Sequence, residues 1–107
     1  MKEVRVFAAC ALGQSISFFT KNLIKAALKY DIDLKIDTNT VDEVYTTDLS
    51  DYVVVLVAPQ VRWHAKRIRE MVGDKVPVEE ISGTIFAIMD GEKGFDEYIL
   101  PHLKDVK

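Results

Sequence analysis

The sequence predicts an α/β fold, a parallel sheet covered by helices on both faces to make a three-layer sandwich. Two observations carry this. Strand-like and helical patterns alternate about four times, and such alternation builds a parallel sheet through right-handed crossovers. Tyr52-Val53-Val54-Val55-Leu56-Val57-Ala58 is apolar on both faces, as a central strand must be when helices lie on each side of it. A chain of 107 residues, 49% hydrophobic, has material for one core, so residues 1–107 are read as a single domain.

The elements follow in order. Val4, Val6, Phe7, Ala8 and Ala9 make a first buried strand, and Ile16, Phe19, Leu23, Ala26, Ala27 and Tyr30 then recur at helical spacing on one face. Leu34 and Ile36 alternate with charged residues in a second strand, which suits a place near the sheet edge. Thr40-x-x-Glu43 has the form of a capping box and predicts one short helical turn, broken at residues 48–51. Beyond the 52–58 strand, Pro59 and Gln60 open a second long helix with Val61, Ala65, Ile68, Met71 and Val72 inward and Gly73 as its C-terminal cap. Val76 to Ile81 is a short strand whose start Pro77 restricts. Thr84 to Met89 suits a fifth strand or a loop folded back over the core. Asp90 caps a last helix through Phe95, Ile99 and Leu103, with Pro101 disrupting its final turn.

Composition excludes several classes. A net charge of −3 argues against nucleic acid as a partner, which calls for a basic face. The one cysteine excludes an internal disulfide framework and thiolate-rich metal sites, and suits a reducing compartment. No apolar stretch approaches the length that spans a bilayer and no signal-like segment precedes the first strand, so a cytoplasmic protein without membrane insertion is expected. No cluster of His, Asp and Glu suggests a metal, and no cofactor is expected.

Cys10 ends the first strand and enters a tight turn, Ala11-Leu12-Gly13-Gln14-Ser15-Ile16-Ser17, ahead of the first helix. A lone cysteine is most often a small core hydrophobe. This placement points further, because backbone N–H groups at a helix start have no intrahelical acceptor and the helix dipole is positive there. Both effects favour an anion, so a lowered thiol pKa and an anion socket are expected. Gly13 lets successive N–H groups turn inward, and Ser15 and Ser17 offer hydroxyls. Ligands of such sheets gather beyond the carboxyl ends of the strands, where Gln60 also falls. Arg62, Lys66 and Arg69 follow at helical spacing; the plain reading is a solvated face, with Arg62 singled out because it opens the helix at the active edge. Trp63 and Phe18 read as core, with partner anchors as the other reading, and His64 reads as a surface residue.

Three motifs in the same order resemble the enzyme IIB component of the bacterial sugar phosphotransferase system, in its lactose and cellobiose (diacetylchitobiose) family. They are Cys10-x-x-Gly13-x-Ser15-x-Ser17, Pro59-Gln60-Val61-Arg62-Trp63 and Met89-Asp90-Gly91-Glu92-Lys93. The resemblance implies a four-stranded parallel sheet, similar to phosphate-loop tyrosine phosphatases and Rossmann-like folds. It also implies a phosphocarrier in which Cys10 accepts a phosphoryl group from a histidine of enzyme IIA. The group then passes to a sugar carried by the membrane permease, enzyme IIC. Residues Ala11, Leu12, Gly13, Gln14, Ser15, Ile16 and Ser17 match the phosphate loop, and Gln60 and Arg62 are placed on its rim. Ala11, Gln14 and Ile16 depart from the common family pattern, which shifts anion binding from hydroxyls to backbone N–H groups.

Rival readings are a non-catalytic relative that keeps the fold and binds a partner, and a low-molecular-weight phosphatase. The latter needs Cys-x5-Arg to clamp phosphate bidentately, and the matching position holds Ile16. A thioredoxin-like role fails because Gly13 stands where a second cysteine would.

Overall fold

A computed structural model of the protein describes residues 2–11 and 16–103. Four strands, β1 (Lys2–Cys10), β2 (Ile32–Thr40), β3 (Val54–Val57) and β4 (Val78–Glu80), form one sheet in the order β2-β1-β3-β4, and every pair is parallel. β2 lies at an edge, as its charged alternation predicts. The centre belongs to β1 and β3, where Val6 to Ala9 and Val54 to Val57 are buried on both faces.

α1 (Ile16–Leu28) connects β1 to β2. It buries Ile16, Phe19, Leu23, Ala26 and Ala27 as their helical spacing predicts, and Thr20 besides, while Tyr30 lies past its end, half-buried. Burying each large apolar side chain contributes about 1.5–3 kcal/mol. α2 (Val41–Val44) is the predicted short turn, although Thr40 caps it without a side-chain hydrogen bond. α3 (Ala65–Val72) connects β3 to β4. The β1→β2 and β3→β4 connections run in opposite directions across the sheet, so right-handed crossovers put α1 and α3 on opposite faces.

The chain returns to the α1 face through α4 (Gly83–Ala87) and a C-terminal helical run that starts as α5 (Gly91–Gly94). Gly91 and Gly94 make this packing possible: a Cβ at Gly91 would stand 2.3 Å from the Asn22 carbonyl carbon, and one at Gly94 2.8 Å from Phe19. Asp90 caps the run by accepting from the Lys93 N–H at 3.0 Å. Beyond it the helix widens to a π turn over Phe95–Ile99 and closes as a 3-10 turn at Leu100–His102. Pro101 accounts for the change, since it cannot donate to the carbonyl four residues back and its ring crowds that position.

Three expectations need correction. Pro59 does not open a long helix. Residues Pro59–His64 form a 3-10 turn in which Val61 (φ −123°, ψ 20°) leaves helical geometry, and α3 starts only at Ala65. The shortened helix turns Met71 outward, 41% exposed, while Val72 stays in and Gly73, at φ +57°, ends it as expected. Residues 84–89 are neither strand nor loop. Ser82 accepts from the Ile85 N–H at 3.0 Å and starts α4, which buries Ile85 and Phe86.

Candidate functional site

The order β2-β1-β3-β4 reverses direction between β1 and β3. At such a switch the loops leaving neighbouring carboxyl ends diverge to opposite faces and open a crevice. Cys10 is the last residue of β1, beside that switch, opposite Thr40 of β2 and one residue past the Ala9–Val57 pair with β3. The Ala58 N–H donates to the Ala9 carbonyl at 2.9 Å, so the chain leaving β3 starts its 3-10 turn directly beside Cys10. Gln60 and Arg62 lie on that turn, both exposed, and Arg62 makes no hydrogen bond or ion pair with a described residue. The structure thus brings Cys10, Gln60 and Arg62 to one edge.

Leu12, Gly13, Gln14 and Ser15, expected to bind phosphate, lie outside the described residues. Their flanks are placed. Ala11 is half-buried, and Ile16 opens α1 with its side chain in the core, 2% exposed. Only the backbone N–H of Ile16 is left for an anion, and it belongs to the first turn of a helix, where N–H groups lack intrahelical acceptors. Ser17 is exposed, and its carbonyl accepts from Thr20 Oγ1 at 3.0 Å.

The thiol itself departs from expectation. Cys10 is 7% exposed, and Sγ donates to the Asn39 carbonyl at 3.4 Å. Burial pushes the Cys10 pKa up, not down. The expectation of a lowered value counted on N–H groups from Gly13 to Ser17, whereas the described surroundings supply apolar neighbours and a carbonyl acceptor, both of which favour the neutral thiol. Asn39 was missed in the sequence because only strand register sets its carbonyl beside Sγ.

The basic residues separate by environment. Arg69 is held to β4, with Nη1 2.9 Å from Glu80 and Nη2 3.0 Å from the Val78 carbonyl. It is a tie between α3 and the sheet, not part of a free basic face. Lys66 is exposed on α3. Phe18 and Trp63, read as core, are 62% and 73% exposed. Their neighbours Phe19 and Val61 take the inward positions, since the helix phase buries Phe19 and the 3-10 turn rotates Trp63 outward. The His64 ring lies against Trp63, tilted by 33° with ring centroids 3.8 Å apart. The Met89-Asp90-Gly91-Glu92-Lys93 motif acts as a clasp on α1. Met89 takes φ +55°, and its carbonyl accepts from Asn22 Nδ2 at 2.9 Å. Among the described residues no group of three or more His, Cys, Asp or Glu side chains could hold a metal, and no helix is long and apolar enough to cross a membrane.

Comparison with known proteins agrees with this fold. The family model for the lactose/cellobiose-specific IIB subunit of the PTS system matches residues 5–97. No curated protein matches the chain. Among solved structures, the lactose-specific IIB component domain of the phosphoenolpyruvate:carbohydrate phosphotransferase system from Streptococcus pneumoniae superposes with a TM-score of 0.80 at 16% identity. The match covers 96% of this chain and 100% of that one. The cellobiose-specific phosphotransferase IIB component protein from Borrelia burgdorferi gives a TM-score of 0.70 at 28% identity, over 91% of this chain and 89% of the other.

Proposed function

This chain belongs to the lactose/cellobiose-specific IIB family of the phosphotransferase system, and on that premise we propose that it is a cytoplasmic phosphocarrier whose acceptor is Cys10. The observation that supports the reading most is the position of the sole thiol. Cys10 ends a central strand at the sheet's switch point, six residues before α1 starts at Ile16.

In the forward step a Cys10 sulfur lone pair attacks the phosphorus of a phosphohistidine on enzyme IIA. The Sγ–P bond forms, the N–P bond breaks, and the released imidazole nitrogen takes up the thiol proton. In the second step a hydroxyl of a sugar held by enzyme IIC attacks, the S–P bond breaks and the thiol regains a proton. Such transfers depend on alignment and on donors aimed at the equatorial phosphoryl oxygens. Residues Ala11 to Ser17 supply those donors mainly from the backbone, with Gln60 and Arg62 at the rim.

The raised thiol pKa fits a carrier that rests neutral. The thiol proton leaves as the Sγ–P bond forms, taken by the imidazole nitrogen that the breaking N–P bond releases. Incubation with phosphoenolpyruvate, the general phosphotransferase proteins and a lactose/cellobiose-type enzyme IIA should add one phosphoryl group, located by mass spectrometry on Cys10. Cys10→Ser should fold normally and take up none. Label persisting in Cys10→Ala would refute the assignment. A wild-type chain that stays unlabelled would point to a relative that keeps the fold and only binds partners.

A further inference from the structure

We infer that Phe18, Trp63 and Ile88 form the docking surface for the phosphoryl-donor protein, a reading that rests on the phosphocarrier function above and adds to it the residues that hold the donor in place. Five large apolar side chains of the described residues are exposed, and these three, at 62%, 73% and 64%, are the most exposed of them. They come from three segments that leave the same edge of the sheet. Phe18 is in the first turn of α1, after β1. Trp63 is on the 3-10 turn after β3. Ile88 ends α4, after β4.

The segments are fixed to one another. Phe19 meets Phe86 with ring centroids 5.7 Å apart, joining the start of α1 to α4. The Asn22–Met89 hydrogen bond places Ile88 beside the helical face that Phe18 and Asn22 share one turn apart. The Ala58–Ala9 bond sets the turn carrying Trp63 next to Cys10. The apolar groups therefore flank the edge that holds the thiol.

Two features name the occupant. Cys10 is 7% exposed, so a phosphoryl group carried on another protein's side chain reaches Sγ only if that protein covers the rim around it. Arg62, without a described partner and adjacent to Trp63, offers an unneutralised cation to a partner that arrives bearing a phosphoryl dianion. Aromatic anchors beside an arginine are the composition of interface hot spots. A water-excluded apolar rim also strengthens the charge contact at its centre.

The test is quenched-flow phosphorylation of the full chain by a phosphorylated lactose/cellobiose-type enzyme IIA at increasing concentration. Phe18→Ala, Trp63→Ala and Ile88→Ala should each raise the concentration giving half-maximal rate, by about tenfold or more for Trp63→Ala, with the rate at saturation unchanged. Trp63→Phe should recover most of the loss. Alkylation of Cys10 by iodoacetamide, which needs no partner, should be the same in all four variants and wild type. Wild type labelled on Cys10 with half-saturation unmoved in the variants overturns the docking surface and leaves the phosphocarrier reading standing. A defect confined to the later transfer to sugar overturns it too, by assigning these residues to the permease. Absence of label on wild type overturns the phosphocarrier reading, and the donor-docking surface with it.

Discussion

The two ends of the sheet differ in how far their charged and apolar groups are satisfied within the molecule. In the amino half, charge is answered within the molecule. Arg5 lies over the Tyr52 ring at 4.7 Å and reaches Asp37 at 2.9 Å and the Tyr52 hydroxyl at 3.2 Å, while Tyr52 donates to the same Asp37 carboxylate. His102 pairs with Glu79 at 2.7 Å. An open cavity of about 500 Å³ lies there, lined by Lys2, Arg5, Asp51 and His102 among others, yet its cations have partners. At the carboxyl end Arg62 has none among the described residues, three large apolar side chains are exposed, and the thiol is buried. Folding alone rewards pairing charges and hiding apolar groups. The end that does neither keeps its capacity for another molecule.

Exchanging charge at two arginines separates the two ends most sharply. Arg62→Glu should slow phosphorylation by enzyme IIA about tenfold at low salt, with the loss shrinking as salt screens the encounter over about 10 Å at 0.1 M, and should leave stability unchanged. Arg69→Glu should do the reverse. It loses the Glu80 and Val78 partners, lowering stability by roughly 0.5–1 kcal/mol, and leaves the phosphorylation rate near wild type. Equal effects on rate would erase the distinction between a tied arginine and an available one. Quenched-flow rates at two ionic strengths and urea unfolding read the two quantities.

The thiol offers a second, smaller effect. With its pKa raised by burial, Cys10 should be alkylated by iodoacetamide with a midpoint above the usual value of about 8.5. Because the folded value is the higher one, its contribution to stability is complete below the unfolded thiol pKa and is lost as pH rises through the folded pKa. A midpoint below 8.5 would show that the anion-favouring groups of the turn outweigh burial.

The smallest effect belongs to the amino half. The Tyr52 hydroxyl, and next the Arg5 guanidinium, hold Asp37 below the usual carboxylate range. That contribution is present above the unfolded carboxylate pKa and disappears as pH falls through the folded value. The pair is partly solvent-exposed, with side-chain accessibilities of 41% and 44%, so screening limits Asp37→Asn to less than about 1 kcal/mol at pH 7. Phosphorylation should not change. A fall in its rate would mean that the two ends of the sheet are coupled.

Much of this architecture was legible in the residues. Apolar spacing marked β1, α1 and β3, the charged alternation of β2 marked an edge, and Gly73 and Asp90 marked a helix end and a helix start, because periodicity and capping act over a few neighbouring residues. The order of Cys10, Pro59-Gln60 and Met89-Asp90-Gly91 along the chain also pointed to the family. Local pattern did not determine what depends on neighbours distant in sequence. Val61 breaks the helix after Pro59, residues 84–89 coil against Phe19, and Phe18 and Trp63 face outward because Phe19 and Val61 occupy the core beside them. Only the parallel register sets the Asn39 carbonyl against Cys10 Sγ, and burial under the packed chain reverses the expected shift of the thiol. The sequence by itself determined which chemistry was present and which strands carried it. The tertiary structure decided which of those groups were satisfied internally and which were left open, since burial and pairing are properties of contacts made across the whole chain.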